Sequence, residues 1–527
     1  MAGWGPQHQT TGGSRWVKPG MVAFCAFVLY SGIDQGASPV WIGFGVLVLV
    51  SVIVAVLPAS ARQRIADALP DDPDPSPEGR SAAELSLQVR RTGLSLGGGP
   101  YLGRAKDGAA RHARPERAVL VLGPPRSGKT SAVIVPSLVA HVGPAVSTST
   151  KPDVAGQTRA ARRLDGRTWV FDPTGAAASS AGGGDEVLRW SPVPSSRSWD
   201  GALLMARAMA GRVGGGTMDR SHWASRAQAL LAPMLHAAAV HGKGMDVVVR
   251  WVMRHELDEP GVLLEDSRCS PLAFGSLLGA LNTEERERSS IFSATADALQ
   301  AYAGEHALGA AREPNFDTDR FVRSRDTIYI HAPADAQAGT APIVCGLLSE
   351  IRRATYKAHA AGELTGGRVL FALDEVANIA PLEELPQMAS EGGGQGLVLL
   401  AALQDLSQAR DRWGEQADGF LTLFGTKLDL SGIADLKTLE TISQMLGEYD
   451  RKMVSTTRSK PSFIAQNPSS SGSTTVSTQR TRNLSPGEVA KLPAGAALHL
   501  DGVHWELVKL TPAHVTEPWR TLTNPSA

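Results

Sequence analysis

The chain has 527 residues, too many for one hydrophobic core, so two or three domains are expected. Lysines plus arginines number 52 and aspartates plus glutamates 52, which excludes a globally basic nucleic-acid-binding surface and leaves only a local patch or channel for such a contact. Cys25, Cys269 and Cys345 stand far apart without C-x-x-C spacing, which argues against a disulfide framework or a cysteine zinc site.

In chain order, residues 39–57, PVWIGFGVLVLVSVIVAVL, carry no charge. As a helix rising about 1.5 Å per residue, this run would span roughly 28 Å, near the hydrocarbon thickness of a bilayer. A shorter run, GMVAFCAFVLYSGI (20–33), precedes it across the loop DQGAS. It can span only if its flanks reach into the interface. Arg15 and Lys18 lie before the first run, and Arg62 and Arg64 after the second. Positive charge on both outer flanks places both ends in the cytoplasm. A signal peptide is the competing reading of the first run, but a second apolar run follows at once with no clear A-x-A site. Residues 1–58 are thus expected to form a transmembrane hairpin, multi-pass in the inner (plasma) membrane, with the bulk of the chain cytoplasmic. Residues 59–82, dense in Pro, Asp and Ser, read as a linker. The region 59–115 leads into a nucleotide-binding domain.

The next signal is LVLGPPRSGKTSAVIVP (120–136). Gly123, Gly128, Lys129 and Thr130 fit G-x-x-x-x-G-K-[ST], between a strand at 118–122 and a helix at 130–142. Glycines let the loop bring its N–H groups onto phosphate oxygens, and the helix N-terminus adds partial positive charge. The expected nucleotide contacts are Gly123, Pro124, Pro125, Arg126, Ser127, Gly128, Lys129, Thr130 and Ser131. Lys129 would reach the β- and γ-phosphates of ATP, and Thr130 would ligate Mg²⁺. Pro136 should kink the helix.

Short apolar runs at 144–150, 167–173 and 326–333 read as further strands. GRVLFALDEVANI (367–379) is a strand ending in Asp374 and Glu375. Asp374 would support Mg²⁺, and Glu375 would act as general base on the attacking water. GLVLLAALQ (396–404) ends in Gln404, placed to sense the γ-phosphate. Segments 219–242 and 283–303 show helical apolar spacing. The Ser/Thr-rich stretch 455–480 reads as a mobile loop or disordered insert, and 495–510 as two strands around a turn. Strands alternating with helices imply an α/β fold with a parallel sheet and ligands at the strand C-termini, where every polar residue named here falls.

These motifs together resemble the type IV coupling proteins, the TraG/TraD-like membrane ATPases of conjugative DNA transfer. The likeness runs through GPPRSGKT, STSTKPDV (147–154), VFDPTG (170–175), RWSPV (189–193), IYIHAPAD (328–335), LDEVANIAPLEELP (373–386) and LAALQDLSQARDRWG (400–414), and weakly into 480–502. The resemblance implies a RecA-like P-loop NTPase domain made of 116–199 and 316–527, with an all-α domain inserted at 200–315. It also implies a homo-hexameric ring at the membrane that accepts a relaxase bound to single-stranded DNA and passes it to the channel components of a type IV secretion system. Arg286 and Arg288 of the insert could contact substrate or simply face solvent. One departure stands out. The family usually carries an arginine before the Gln404 strand, supplied to a neighbouring subunit's ATP, and here that place is Gly393 in SEGGGQGL (390–397). Either another arginine substitutes, with Arg410 and Arg412 as candidates, or hydrolysis is slow. Two alternatives to an ATP-driven DNA translocase remain: a docking receptor that uses nucleotide to hold its ring together, and a motor for other cargo, of the FtsK/HerA type or for protein alone.

Overall fold

The computed structural model describes residues 81–95, 98–176, 184–211, 217–458 and 472–523. Both apolar runs of the expected hairpin lie outside these residues. No helix among the described residues is long and apolar enough to cross a membrane.

The strands among the described residues are β1 (Tyr101–Arg104), β2 (Ala110–His112), β3 (Val119–Leu122), β4 (Ala145–Ser149), β5 (Thr168–Phe171), β6 (Glu186–Val187), β7 (Thr327–His331), β8 (Val369–Leu373), β9 (Leu397–Leu403), β10 (Thr426–Leu430), β11 (Glu448–Arg458), β12 (Gly472–Arg482), β13 (Ala496–Asp501) and β14 (His504–Lys509). All but β11 and β12 form one sheet, in the order β2-β1-β14-β13-β10-β3-β9-β8-β4-β7-β5-β6. From β10 to β6 every neighbouring pair is parallel. The other edge is antiparallel, from β10–β13 through β14 and β1 to β2. The sheet is therefore mixed, where sequence suggested a parallel one.

The centre of the sheet follows from composition. VLVL in β3, VLFAL in β8 and LVLLAAL in β9 are buried at every position. Continuous apolar runs suit strands covered on both faces. Leu120, Leu122, Phe371, Leu373, Leu399 and Leu403 join one core cluster, which also holds the buried faces of helices Thr217–Val240 and Gln337–Ala360. Val119, Val121, Leu370, Val398 and Leu400 join the other, with Ile134, Leu138 and Val139 of the segment after the glycine loop. Between β6 and β7 the described chain forms helices without a strand, from Trp199–Ala210 to Thr318–Phe321. Their apolar sides enter the first cluster, and Arg80–Ala527 forms one compact unit.

Two local expectations change. The helix after the glycine loop opens with a π-turn, Thr130–Ile134, and continues as an α-helix over Val135–Ala140. Pro136 has no N–H to offer an α-helix, and the disruption takes the form of this wider turn, with the Val135 N–H reaching back to Thr130 O. The 455–480 stretch, expected as a loop, is strand at both flanks. β11 and β12 pair antiparallel in unbroken register from Glu448↔Arg482 to Arg458↔Gly472. Its threonines, with Val476, favour extended backbone, which polarity alone conceals. Residues 459–471 lie outside the described residues.

Candidate functional site

The glycine loop leaves β3 at Leu122, and the Gly123 N–H donates to Leu403 O at 3.2 Å, so the loop starts beside the end of β9. A Cβ on Gly123 would lie 2.7 Å from Ser127 Oγ and 2.9 Å from Leu430 Cβ, which only glycine avoids. Gly128 has φ of 97°, again a glycine conformation. Pro125 and Arg126 are exposed at the outer bend, with Arg126 at φ of 65°, and the Ser127 N–H closes the turn onto Pro124 O. Ser127 Oγ is buried without a partner. Lys129 Nζ donates to Gly123 O at 2.5 Å and to Pro124 O at 3.0 Å. Its side chain is folded over the loop, and the residue is only 7% exposed. Burial draws the Lys129 ammonium below its ordinary range, opposed by the nearby charges of Asp374 and Glu375. Ser131 faces the C-terminal segment, its carbonyl accepting the Ala513 N–H.

The acids come from the end of β8. Asp374 Oδ2 accepts the Thr130 hydroxyl at 2.5 Å, and the Asp374 carbonyl accepts Thr148 Oγ1 at 2.8 Å, tying β8 to β4. Burial pushes the Asp374 carboxyl above the usual carboxylate range. The Thr130 hydroxyl and the Lys129 ammonium oppose this, and Glu375 adds to it. Glu375 sits in left-handed backbone at φ of 50°, a conformation that costs a non-glycine residue about 1 kcal/mol or more. Its N–H donates to Asp374 Oδ1 at 3.0 Å, and Asn378 Nδ2 donates to Glu375 Oε2 at 3.2 Å. The first bond holds the Asp374 carboxylate, and the second directs the Glu375 side chain.

Gln404 directly follows β9, the strand between β3 and β8. It is half-buried, and its N–H donates to Gln408 Oε1 at 3.0 Å. Asp405 then caps helix Leu406–Trp413. Loop, glutamine and acids therefore occupy the C-terminal ends of three consecutive strands.

Among the described residues, no group of three histidines, cysteines or acids could hold a metal. The protein offers Thr130 Oγ1 and Asp374 Oδ2 side by side, which fits Mg²⁺ arriving on nucleotide phosphates rather than in a cage of its own. The buried, unpartnered Ser127 hydroxyl and the crowded Gly123 fit a loop shaped to lie close around an anion.

Other expected residues fall elsewhere. Gly393 precedes β9, at the opposite end of the sheet. A Cβ there would lie 2.0 Å from Glu116 O. The Arg368 guanidinium fills the neighbourhood, donating to Gly393 O at 2.5 Å and to Glu116 Oε1 at 3.0 Å. Arg410 is bound to Asp435 Oδ2 at 2.8 Å, and Arg412 lies on the same helix. Arg286 is exposed on helix Glu285–Ala298, and Arg288 donates to Leu281 O. Thr148, Asn378 and Gln408 were not singled out from sequence. Only Asn378, one helical turn past Glu375, had a local signal.

Comparison with known proteins gives a consistent result. Residues 78–500 match the family model described as type IV secretory system conjugative DNA transfer. No curated protein matches the chain. Among solved structures, it is similar to the bacterial conjugative coupling protein TrwBdeltaN70 in its unbound form, with TM-score 0.59, 18% identity, and 82% of this chain and 92% of that chain covered. A TrwB complex with ADP and Mg²⁺ matches with TM-score 0.56, 18% identity and coverage of 76% and 85%. A complex with a non-hydrolysable ATP analogue matches with TM-score 0.58, 18% identity and coverage of 82% and 92%.

Proposed function

Since the chain belongs to the conjugative DNA-transfer family of type IV secretory systems, the coupling proteins, we propose that it is a membrane-anchored ATPase that takes a relaxase–DNA substrate to a secretion channel and drives its passage. In this reading 116–199 and 316–527 form a RecA-like motor, 200–315 an inserted domain facing the substrate, and the ring is a homo-hexamer. The observation that carries it is the contact between Thr130 and Asp374 across 244 positions of sequence, with Lys129 held in the field of both acids. TrwB is a coupling protein seen with ADP and Mg²⁺ and with an ATP analogue, which supports nucleotide and magnesium as cofactors here.

Each residue then has a task. The amides of the Gly123–Ser131 loop and the Lys129 ammonium bind the phosphates and offset their charge. Thr130 and Asp374 hold the metal, which when bound draws charge from the transferring phosphoryl group. Glu375 takes a proton from water at its carboxylate, aimed by Asn378. Gln404, on the strand between, orients that water or the terminal phosphate. DNA would be held by its backbone, without sequence preference.

The test is ATP turnover by the full-length protein with and without single-stranded DNA. Strong stimulation by DNA is expected, and Lys129→Ala should abolish turnover. Parent-like turnover by that variant would remove the motor. The packing at Gly393 favours a second reading, a docking receptor with slow hydrolysis, since no side chain fits there. DNA transfer in cells carrying a hydrolysis-dead chain would select that reading.

A further inference from the structure

The ribbon β11–β12 is the one large element in the described residues that the ATPase reading does not use. It has 11 residues in each strand, about 36 Å at ~3.3 Å per residue. It belongs to no larger sheet, and residues 450–455 and 474–480 are exposed on both faces. An isolated two-stranded ribbon is marginal in water, so it needs either a firm root or a partner. The root is present. Arg482 donates to both Glu440 oxygens at 3.0 and 2.7 Å, Ser443 Oγ to Leu484 O at 2.6 Å, and Asn483 Nδ2 to Leu446 O at 2.7 Å.

That root leads back to the nucleotide site. Glu440 and Ser443 lie on helix Leu436–Met445, whose capping residue Asp435 binds Arg410 on the helix directly after Gln404. Thr438 Oγ1 also accepts the Leu406 N–H at 3.2 Å. Ribbon and glutamine are thus mounted on one hydrogen-bonded pair of helices.

The exposed chemistry of the ribbon selects its partner. The exposed stretches 450–455 and 474–480 carry Arg451, Lys452 and Arg480 against one carboxylate, Asp450, which lies 3.9 Å from Arg480; the ribbon's other acid, Glu448, stands at the root opposite Arg482. Beyond it the surface presents Ser455, Thr474, Thr475, Ser477, Thr478 and Gln479, all hydrogen-bond donors and none acidic. Its exposed large apolar side chains are Met453, Val454 and Val476. Three aliphatic side chains without an aromatic anchor do not make the apolar core of a standard protein interface. No aromatic residue stands in the exposed part, so there is no platform on which bases could stack. Cations with hydroxyl donors and no stacking surface match a phosphodiester backbone.

We propose that the β11–β12 ribbon is an arm that lies along the phosphate backbone of the transferred DNA, rooted on the helix that is hydrogen-bonded to the one following Gln404. This rests on the reading that the chain moves DNA. The test measures affinity of the full-length protein for a mixed-sequence single strand between about 50 and 200 mM salt. The triple variant Arg451→Ala, Lys452→Ala, Arg480→Ala should bind at least tenfold more weakly. Its salt slope should fall by roughly 2, at ~0.7 for each phosphate no longer neutralised. Arg451→Lys, Lys452→Arg, Arg480→Lys should retain the parent affinity. If the parent binds and the alanine variant matches its affinity and slope, the arm is refuted while the motor reading stands. An alanine variant with altered oligomer size but parental DNA affinity would reassign the ribbon to a second copy of this chain and also refute it. A parent chain that binds no single strand would overturn the DNA-moving reading together with the arm.

Discussion

Asp429→Asn should change how stability depends on pH. Asp429 sits on β10, opposite Leu122 at the base of the glycine loop and opposite Leu498 of β13. It is 1% exposed, and both carboxylate oxygens are buried without a partner. Lys427 is the charge that opposes its burial, and Lys427 is itself shared with Leu421 O, Asp501 and the competing Arg117. Burial therefore pushes the Asp429 carboxyl from an ordinary 3.8 up to about 7. Between those values the folded chain holds a proton that the unfolded chain has released. The contribution is intact below about pH 4 and is lost as pH rises through about 7, a total of order 4 kcal/mol at ~1.4 per pKa unit. Asparagine cannot ionise and removes this dependence. The assay is apparent melting temperature of parent and variant across that range. The variant should gain on the parent steadily as pH rises and level off above neutrality. A difference that does not vary with pH would show that Asp429 is neither dry nor unpaired, and would refute the reasoning.

Three further outcomes follow from local geometry. Restoring the family arginine with Gly393→Arg should lower stability by about 1–3 kcal/mol, because its Cβ would lie 2.0 Å from Glu116 O; a variant that melts at or above the parent would contradict this packing. Asp435→Ala removes a helix cap and the tie to Arg410, so a loss of about 1 kcal/mol is expected. The same variant should show weaker stimulation of ATP turnover by DNA, relative to its own DNA-free rate; undiminished stimulation would break the link between ribbon and glutamine.

What could be read in advance divides by physical cause. β3, β8 and β9 are legible because strands covered on both faces must be apolar throughout, and the three site motifs sit directly at their ends. β10 is hidden because TKLDL places Lys427 and Asp429 inside the protein, against the usual pattern. The ribbon is hidden because its exposed faces carry no alternation of apolar and polar residues. The antiparallel edge strands β1 and β2 are short, 4 and 3 residues, and lie in the stretch read only as the lead into the nucleotide-binding domain. Thr148 anchors Asp374 from 226 positions away, a pairing that no window of sequence contains. Gly393 is the opposite case: the missing arginine was visible, but the reason for it, contact with the backbone of Glu116, needed the fold.

The account depends most on Glu375 acting as a base beside a nucleotide held by Lys129 and Thr130. Glu375→Gln keeps the shape of the side chain and its contact with Asn378 but cannot accept the proton. Measured together on the full-length protein, affinity for a non-hydrolysable ATP analogue should stay at the parent value while ATP turnover falls by about 10²–10⁴. Turnover at the parental rate, with binding intact, would contradict the account.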